Sequence, residues 1–324
     1  MSDQPADLGP VGRIAFRALV ASLHILQRLP DRPFYRAAHA LGAGLYLAMP
    51  ARRALVRANL DRTCRWLVEQ DMATPHVAAA VTDPGHLDRM VRSAFGHWIV
   101  TYVEAALAPR YSREDLLRRV RNATPEATDE SLRKTPDGEV GPIHMSMHFG
   151  AVDLSAIYGA RVGVEPLTGP MEEVAQPFAR AYFAHVRREL DVTIVPLEGA
   201  ASELIERVER GEAVGVVADR LIVGSGRAVE LFGAPVRMPI GPAVLSIQTG
   251  GTLYLQALRR TRPGEWDGHT VPIRAEEGLT RKAAVGSILE QEVRAFERLV
   301  AKAPEQWSTA MFEVWDDIDG TEHD

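Results

Sequence analysis

From Ile143 onwards the chain alternates short β-like runs with helical stretches, and that alternation constrains the fold more than any other feature. The candidate strands are 143–147, 164–168, 192–197, 213–218, 228–232, 252–258 and 269–273. The intervening helical patterns cover roughly 150–161, 176–190, 200–210 and 241–249, with a long one at 281–303. Strands separated by helical crossovers build a mostly parallel sheet with helices on its faces. Before Ile143 the character differs. Residues 11–108 read as helix throughout, with breaks at "LPDRP" and "MPARR" and a polar gap at "MATPHVAAAVTDPG". A charged, proline-containing stretch, 121–142, joins the two halves. The predicted organisation is an α/β fold with a mostly parallel central sheet flanked by helices. An N-terminal helical subregion, 1–120, and an α/β core, 121–324, together form one compact domain.

With 324 residues and 46% apolar content the chain can bury a sizeable core. A net charge of −6 without long basic blocks excludes a nucleic-acid backbone as partner. Cys64 is the single cysteine, so no internal disulfide forms, which fits a reducing, cytosol-facing location. In "DRTCRWLVEQ" it reads as a helix residue rather than a nucleophile. The longest apolar stretch, 37–49, falls short of the ~20 residues that cross a bilayer. Residues 11–30 nevertheless place Ile14, Ala18, Ala21, Ile25 and Leu29 near one helical face, with Arg13, Arg17, Gln27 and Arg28 largely elsewhere. This is the pattern of a basic amphipathic helix lying in a membrane interface, and equally that of a surface helix packed on a core.

Ligands of parallel sheets sit beyond the carboxyl ends of the strands. His148 follows the first core strand and Asp219 follows "AVGVVA", so both fall on the ligand side. A neutral imidazole is suited to take a proton from a hydroxyl near pH 7, and a carboxylate beside it fixes its tautomer. Asp153, in the first turn of the following helix, reaches back to His148 if Gly150 allows a tight turn. Metal and nucleotide readings fail on context. His144 and His148 lie in a β-like run without the glutamate of a zinc hydrolase, and "IVGSGRA" lacks the length and lysine of a phosphate loop. The glycines at 224–226 and 233 do not follow a strand and open a helix, as a dinucleotide site requires.

"SMHFGAVDL" resembles the H-x-x-x-x-D/E block of the glycerolipid and lysophospholipid acyltransferase superfamily. The stretch 216–254 is similar to the lipid A biosynthesis acyltransferase family, and within it to the phosphatidylinositol mannoside acyltransferase branch. "RRALVRANLDRT" (52–63) and "PEQW" (304–307) extend the likeness over most of the chain. The resemblance implies transfer of a fatty acyl chain from acyl-CoA or acyl carrier protein to a hydroxyl of a lipid or glycolipid. His148 would be the general base and Asp153 its relay partner; no cofactor or metal is implied. It places Glu172, Arg187, Asp219 and Arg220 at substrate-binding positions, with the arginines suited to phosphate and the acids to hydroxyl groups or to salt bridges. Backbone N–H groups at the start of the 150–161 helix would stabilise the oxyanion. The implied location is peripheral, on the cytoplasmic face of the cell membrane. Where most relatives have "GNW" after the histidine this chain has "GAV", and "MFEVWDD" replaces the usual basic-aromatic ending. A lysophospholipid or amine acceptor, a catalytically silent lipid-binding homologue and a hydrolase therefore stay open.

Overall fold

The computed structural model describes residues 8–163, 166–171, 176, 177, 181, 192–221 and 224–318. The helical half opens with α1 (Pro10–Leu26), α2 (Asp31–Ala48) and α3 (Pro50–Glu69). The expected breaks fall where the sequence places them, and Pro50 begins α3, where its missing N–H costs nothing. The polar gap does contain a helix, α4 (Pro75–Thr82), started by the Thr74 side chain accepting from Val77 N–H. α5 (Pro84–Leu107) is capped by Asp83, which accepts from Gly85 N–H. α2 and α5 cross very closely: a Cβ added at Gly42 would stand 2.6 Å from the Gly96 backbone.

The connecting stretch is more ordered than its composition suggests. α6 (Arg113–Arg119) carries a Ser112/Asp115 capping box, β1 (Val120–Asn122) follows, and α7 (Pro125–Leu132) lies inside the segment read as a linker. The core strands are β2 (Ile143–Ser146), β3 (Leu167–Met171), β4 (Val192–Pro196) and β5 (Ala213–Val217). β6 (Gly226–Leu231) and β7 (Ala234–Pro239) form a separate antiparallel hairpin. β7 was not predicted, because Pro235 and Pro239 suppress any strand reading and only a hairpin edge tolerates them. β8 (Leu253–Arg262) and β9 (Glu265–Ile273) complete the strands.

The main sheet has seven strands in the order β1-β9-β8-β2-β5-β3-β4, with every pairing parallel except β8 with β9. Helices α8 (Val152–Val162), α9 (Ala200–Glu209), α10 (Gly241–Thr249) and α11 (Arg281–Val300) accompany it. β2 lies between β8 and β5, so Ile143, His144 and Met145 are all buried. That is why its sequence is a continuous apolar run rather than an alternation. The predicted strand at 164–168 is displaced to Leu167–Met171, and the predicted helix 176–190 lies almost wholly outside the described residues.

One apolar core runs from Val56 and Leu67 on α3, through Met145 and Val214 in the sheet, to Trp307 and Trp315 near the end. A buried polar cluster ties the helical half to the sheet as well. Glu104 on α5 accepts from Tyr35 Oη (2.6 Å), Trp266 Nε1 (2.9 Å) and Arg260 Nε (2.8 Å). Three charge-assisted or neutral donors on one carboxylate offset much of the cost of burying it.

Candidate active site

β2 ends at Ser146, and its parallel register with β5 sets Ser146 opposite Val217. Two residues further along each strand stand His148 and Asp219, so the register brings them side by side at the carboxyl edge. His148 Nδ1 and Asp219 Oδ1 are 2.6 Å apart. Asp219 Oδ2 accepts from the His148 backbone N–H (3.1 Å), from the Trp307 indole (3.4 Å) and from the Thr309 hydroxyl. The His148 carbonyl accepts from Ser308 N–H at 2.7 Å. Imidazole and carboxylate are therefore held at both main chain and side chain.

The turn after His148 depends on Gly150. Its φ is +64°, and a Cβ there would lie 2.1 Å from the Leu258 carbonyl oxygen. Only glycine fits both the backbone angle and the approach. Gly150 N–H donates to Gln306 O and Ala151 N–H to Leu258 O, after which α8 begins. The Phe149 amide is likewise spent, on Met147 O. These three amides are thus not oxyanion donors, and the N–H groups at the start of the helix that could serve are those of Val152, Asp153 and Leu154, in its first turn.

The His148 side chain remains 36% exposed, whereas that of Asp219 is 1% exposed. Nδ1 is committed to Asp219, and no described residue bonds Nε2. Burial pulls the His148 pKa down, but the charge and hydrogen bond of Asp219 outweigh it, and the net shift is upward. Arg220 opposes this rise and Asp153 adds slightly to it. Burial alone would raise the Asp219 pKa. The His148 charge and the donors on its two oxygens reverse that, leaving the carboxyl below its ordinary value.

The carboxylate hydrogen-bonded to His148 Nδ1 is Asp219, where the resemblance implied Asp153 as the relay partner. Asp153 lies in the first turn of α8, beside the ring electrostatically, while the hydrogen-bonding position on Nδ1 belongs to the neighbouring strand. Asp219, expected at a substrate-binding position, has both oxygens bonded to protein donors and its side chain almost wholly buried. Arg220 is exposed at the same edge, its guanidinium 4.7 Å from the Phe312 ring centroid. Arg52 lies against the same ring at 5.3 Å. Glu172 and Arg187 fall outside the described residues. Cys64 is fully buried and its thiol pKa is pushed up to about 12, so it is no nucleophile at neutral pH. His144 is buried with its pKa pulled down to about 4 by desolvation. Among the described residues no group of three or more His, Cys, Asp or Glu is arranged to hold a metal ion. Sequence reasoning assigned no role to Trp307 or Thr309. "PEQW" marked the neighbourhood, but nothing local to Thr309 signals a contact 90 residues away.

An imidazole with one nitrogen on a buried carboxylate and the other facing outward is an arrangement for accepting a proton from a bound hydroxyl. The known proteins to which the chain is similar are acyltransferases. Two phosphatidylinositol mannoside acyltransferases are similar to the chain. The one from Mycobacterium tuberculosis (strain CDC 1551 / Oshkosh) is 36% identical over 75 residues, 22% of this chain and 24% of the relative. The one from Mycolicibacterium smegmatis is 29% identical over 122 residues, 36% of this chain and 40% of the relative. The chain thus matches about a quarter to two fifths of the length of these curated relatives. The profile described as bacterial lipid A biosynthesis acyltransferase matches far more, residues 11–312. With that match spanning both the helical half and the sheet that carries His148 and Asp219, the chain belongs to the bacterial lipid A biosynthesis acyltransferase family.

Proposed function

We propose that this protein is an O-acyltransferase that moves a fatty acyl chain from a thioester, acyl-CoA or acyl carrier protein, to a hydroxyl of a lipid or glycolipid. The observation that carries this reading is the His148–Asp219 pair, with Nε2 directed away from the carboxylate at the edge of a parallel sheet. His148 Nε2 takes the proton of the acceptor hydroxyl as its oxygen attacks the thioester carbonyl. Asp219 holds the Nδ1 tautomer and stabilises the imidazolium that forms. The C–S bond then breaks, and the imidazolium supplies the proton to the departing thiolate. The reaction needs no covalent acyl-enzyme. Asp153 adds negative potential beside the base, and Arg220, exposed against Phe312, would pair with phosphate on donor or acceptor.

The retained and partly exposed pair favours an active enzyme over a silent homologue, despite "GAV" in place of "GNW". Placement at a membrane surface is supported by side chains on α1 and α2 and the turn between them. Val11, Ile14, Ile25, Leu29, Leu41 and Leu47 are all exposed, Ile14 and Leu47 to 70%. Among the described residues no helix is long and apolar enough to cross a membrane. Peripheral association through these exposed side chains is the reading we propose, on the cytoplasmic face where acyl-CoA or acyl carrier protein would be met.

The test is to incubate the purified protein with acyl-CoA or acylated carrier protein and a panel of lysophospholipid, glycolipid and amine acceptors, reading acylated products by mass spectrometry. His148→Ala is expected to lose product by ~10²-fold or more while staying folded. Equal product from both proteins would remove His148 as the base, and an unacylated panel would count against transfer to these acceptors.

A further inference from the structure

Two sequence segments singled out above, "RRALVRANLDRT" and "PEQW", have no part in the chemical steps, yet in the fold they meet behind the active pair. Arg52 and Asn59 lie seven residues apart on α3, which is two helical turns, so both project from one face. Asn59 is fully buried and donates from Nδ2 to two carbonyls, Ala310 O at 2.9 Å and Phe312 O at 2.8 Å. Arg52 Nη1 donates to the carbonyl between them, Met311 O. Three consecutive carbonyls of the C-terminal segment are thereby gripped from one side.

The same segment holds the active pair from the other side. Ser308 N–H donates to His148 O, while the Trp307 indole and the Thr309 hydroxyl donate to Asp219 Oδ2. Its start is anchored to β8, where the Gln306 side-chain amide bonds both Arg260 N–H (2.9 Å) and Arg260 O (3.0 Å). The Gln306 backbone carbonyl accepts from Gly150 N–H. Among the described residues, every hydrogen bond to the carboxylate other than those from His148 itself comes from this strap. Fixing Oδ2 by donors at set positions fixes the plane of the carboxylate, and with it the aim of Oδ1 at Nδ1.

We propose that residues 306–312, pinned to α3 by Arg52 and Asn59, form the positioning device of the His148–Asp219 pair, and that Asn59 and Thr309 are positioning residues for acyl transfer although neither touches substrate. This rests on the reading of His148 as the base, so the test observes His148 directly as well as through turnover. When Thr309 no longer donates, the Asp219 carboxylate is less stabilised as an anion and binds the His148 proton more strongly. The His148 midpoint then moves up. The other charged groups that act on the ring, Arg220 and Asp153, are left in place.

The experiment uses the full chain with isotopically labelled histidine. The His148 ring is titrated by NMR, with its signal assigned from the spectrum of His148→Gln, and kinetics are measured with acyl-CoA as donor. Thr309→Val is expected to raise the His148 midpoint by about half a pH unit or more and to lower kcat roughly 10-fold with KM nearly unchanged. Thr309→Ser is expected to restore both. Asn59→Ala, acting through the strap, is expected to move the midpoint in the same direction by less. Circular dichroism checks folding, and Thr309→Ala with Asn59→Ser give the same readout if the first variants do not fold. A His148 midpoint unchanged in folded variants at both positions would overturn the proposal, and so would failure of Thr309→Ser to rescue. Full activity of His148→Ala would instead sink the assigned reaction while leaving the titration result to decide the strap.

Discussion

At the scale of the residue, the site is a balance between burial and pairing on one imidazole. Burial alone would keep His148 neutral, but Asp219 more than compensates, and the net shift is upward. A general base works only when neutral, so activity should rise with pH through a midpoint above the ordinary histidine value of about 6.5. The sign for Asp219→Asn follows. Removing the negative charge removes the main influence that raises the midpoint, leaving burial and Arg220 to lower it against the smaller effect of Asp153. The acid limb of kcat/KM should shift to lower pH, and the plateau should fall by roughly 10²-fold or more because the tautomer is no longer held. A pH–rate profile of both proteins checks this; an acid limb that stays put in Asp219→Asn would show that the carboxylate does not tune the base. Gly150 belongs to this scale too, since a single Cβ would collide with the Leu258 carbonyl and displace the loop bearing His148.

At the scale of the element, helices and sheet are joined by polar contacts as well as apolar ones. Glu104 brings Tyr35 of α2, Arg260 of β8 and Trp266 of β9 to one carboxylate on α5. Removing that carboxylate strands the buried Arg260 charge, whose Nη1 already lacks a partner among the described residues. Glu104→Ala is expected to cost about 3–5 kcal/mol, because breaking a buried pair leaves its other member uncompensated. Urea denaturation of the two proteins measures this, and a difference below about 1 kcal/mol would mean that the cluster is hydrated or dispensable. The elements also show where local pattern misleads. The long apolar runs of β2 and β5 were readable because central parallel strands are buried on both faces. β7 was not, because prolines at 235 and 239 argue against a strand everywhere except at the edge it occupies. α7 was hidden in a polar stretch, where its short length and weak periodicity resemble a linker.

At the scale of the whole molecule, the distribution of exposed apolar side chains sets the expected orientation. Exposed valine, leucine and isoleucine side chains are concentrated on α1, α2 and the turn between them, with Arg13, Arg17 and Arg28 in the same segment. Burying one such side chain in an interface contributes about 1.5–3 kcal/mol, and 1.4 kcal/mol is tenfold in affinity. Ile14→Asp and Leu47→Asp are each expected to weaken co-sedimentation with anionic phospholipid vesicles by roughly 10-fold or more, without loss of fold. Binding equal to that of the parent protein would mean that this face does not meet lipid.

The amino-acid pattern by itself determined the fold class, the placement of His148 at a strand end and the apolar face of α1. These rest on periodicity and on the residues a few positions away, which a single segment carries. Only the tertiary structure decided which acid serves His148. Asp153 is five positions along the chain and Asp219 is 71, yet parallel register between β2 and β5 sets the distant one at 2.6 Å. Thr309 and Asn59 were invisible for the same reason: strand order and chain return, rather than sequence spacing, determine which donors surround a buried carboxylate.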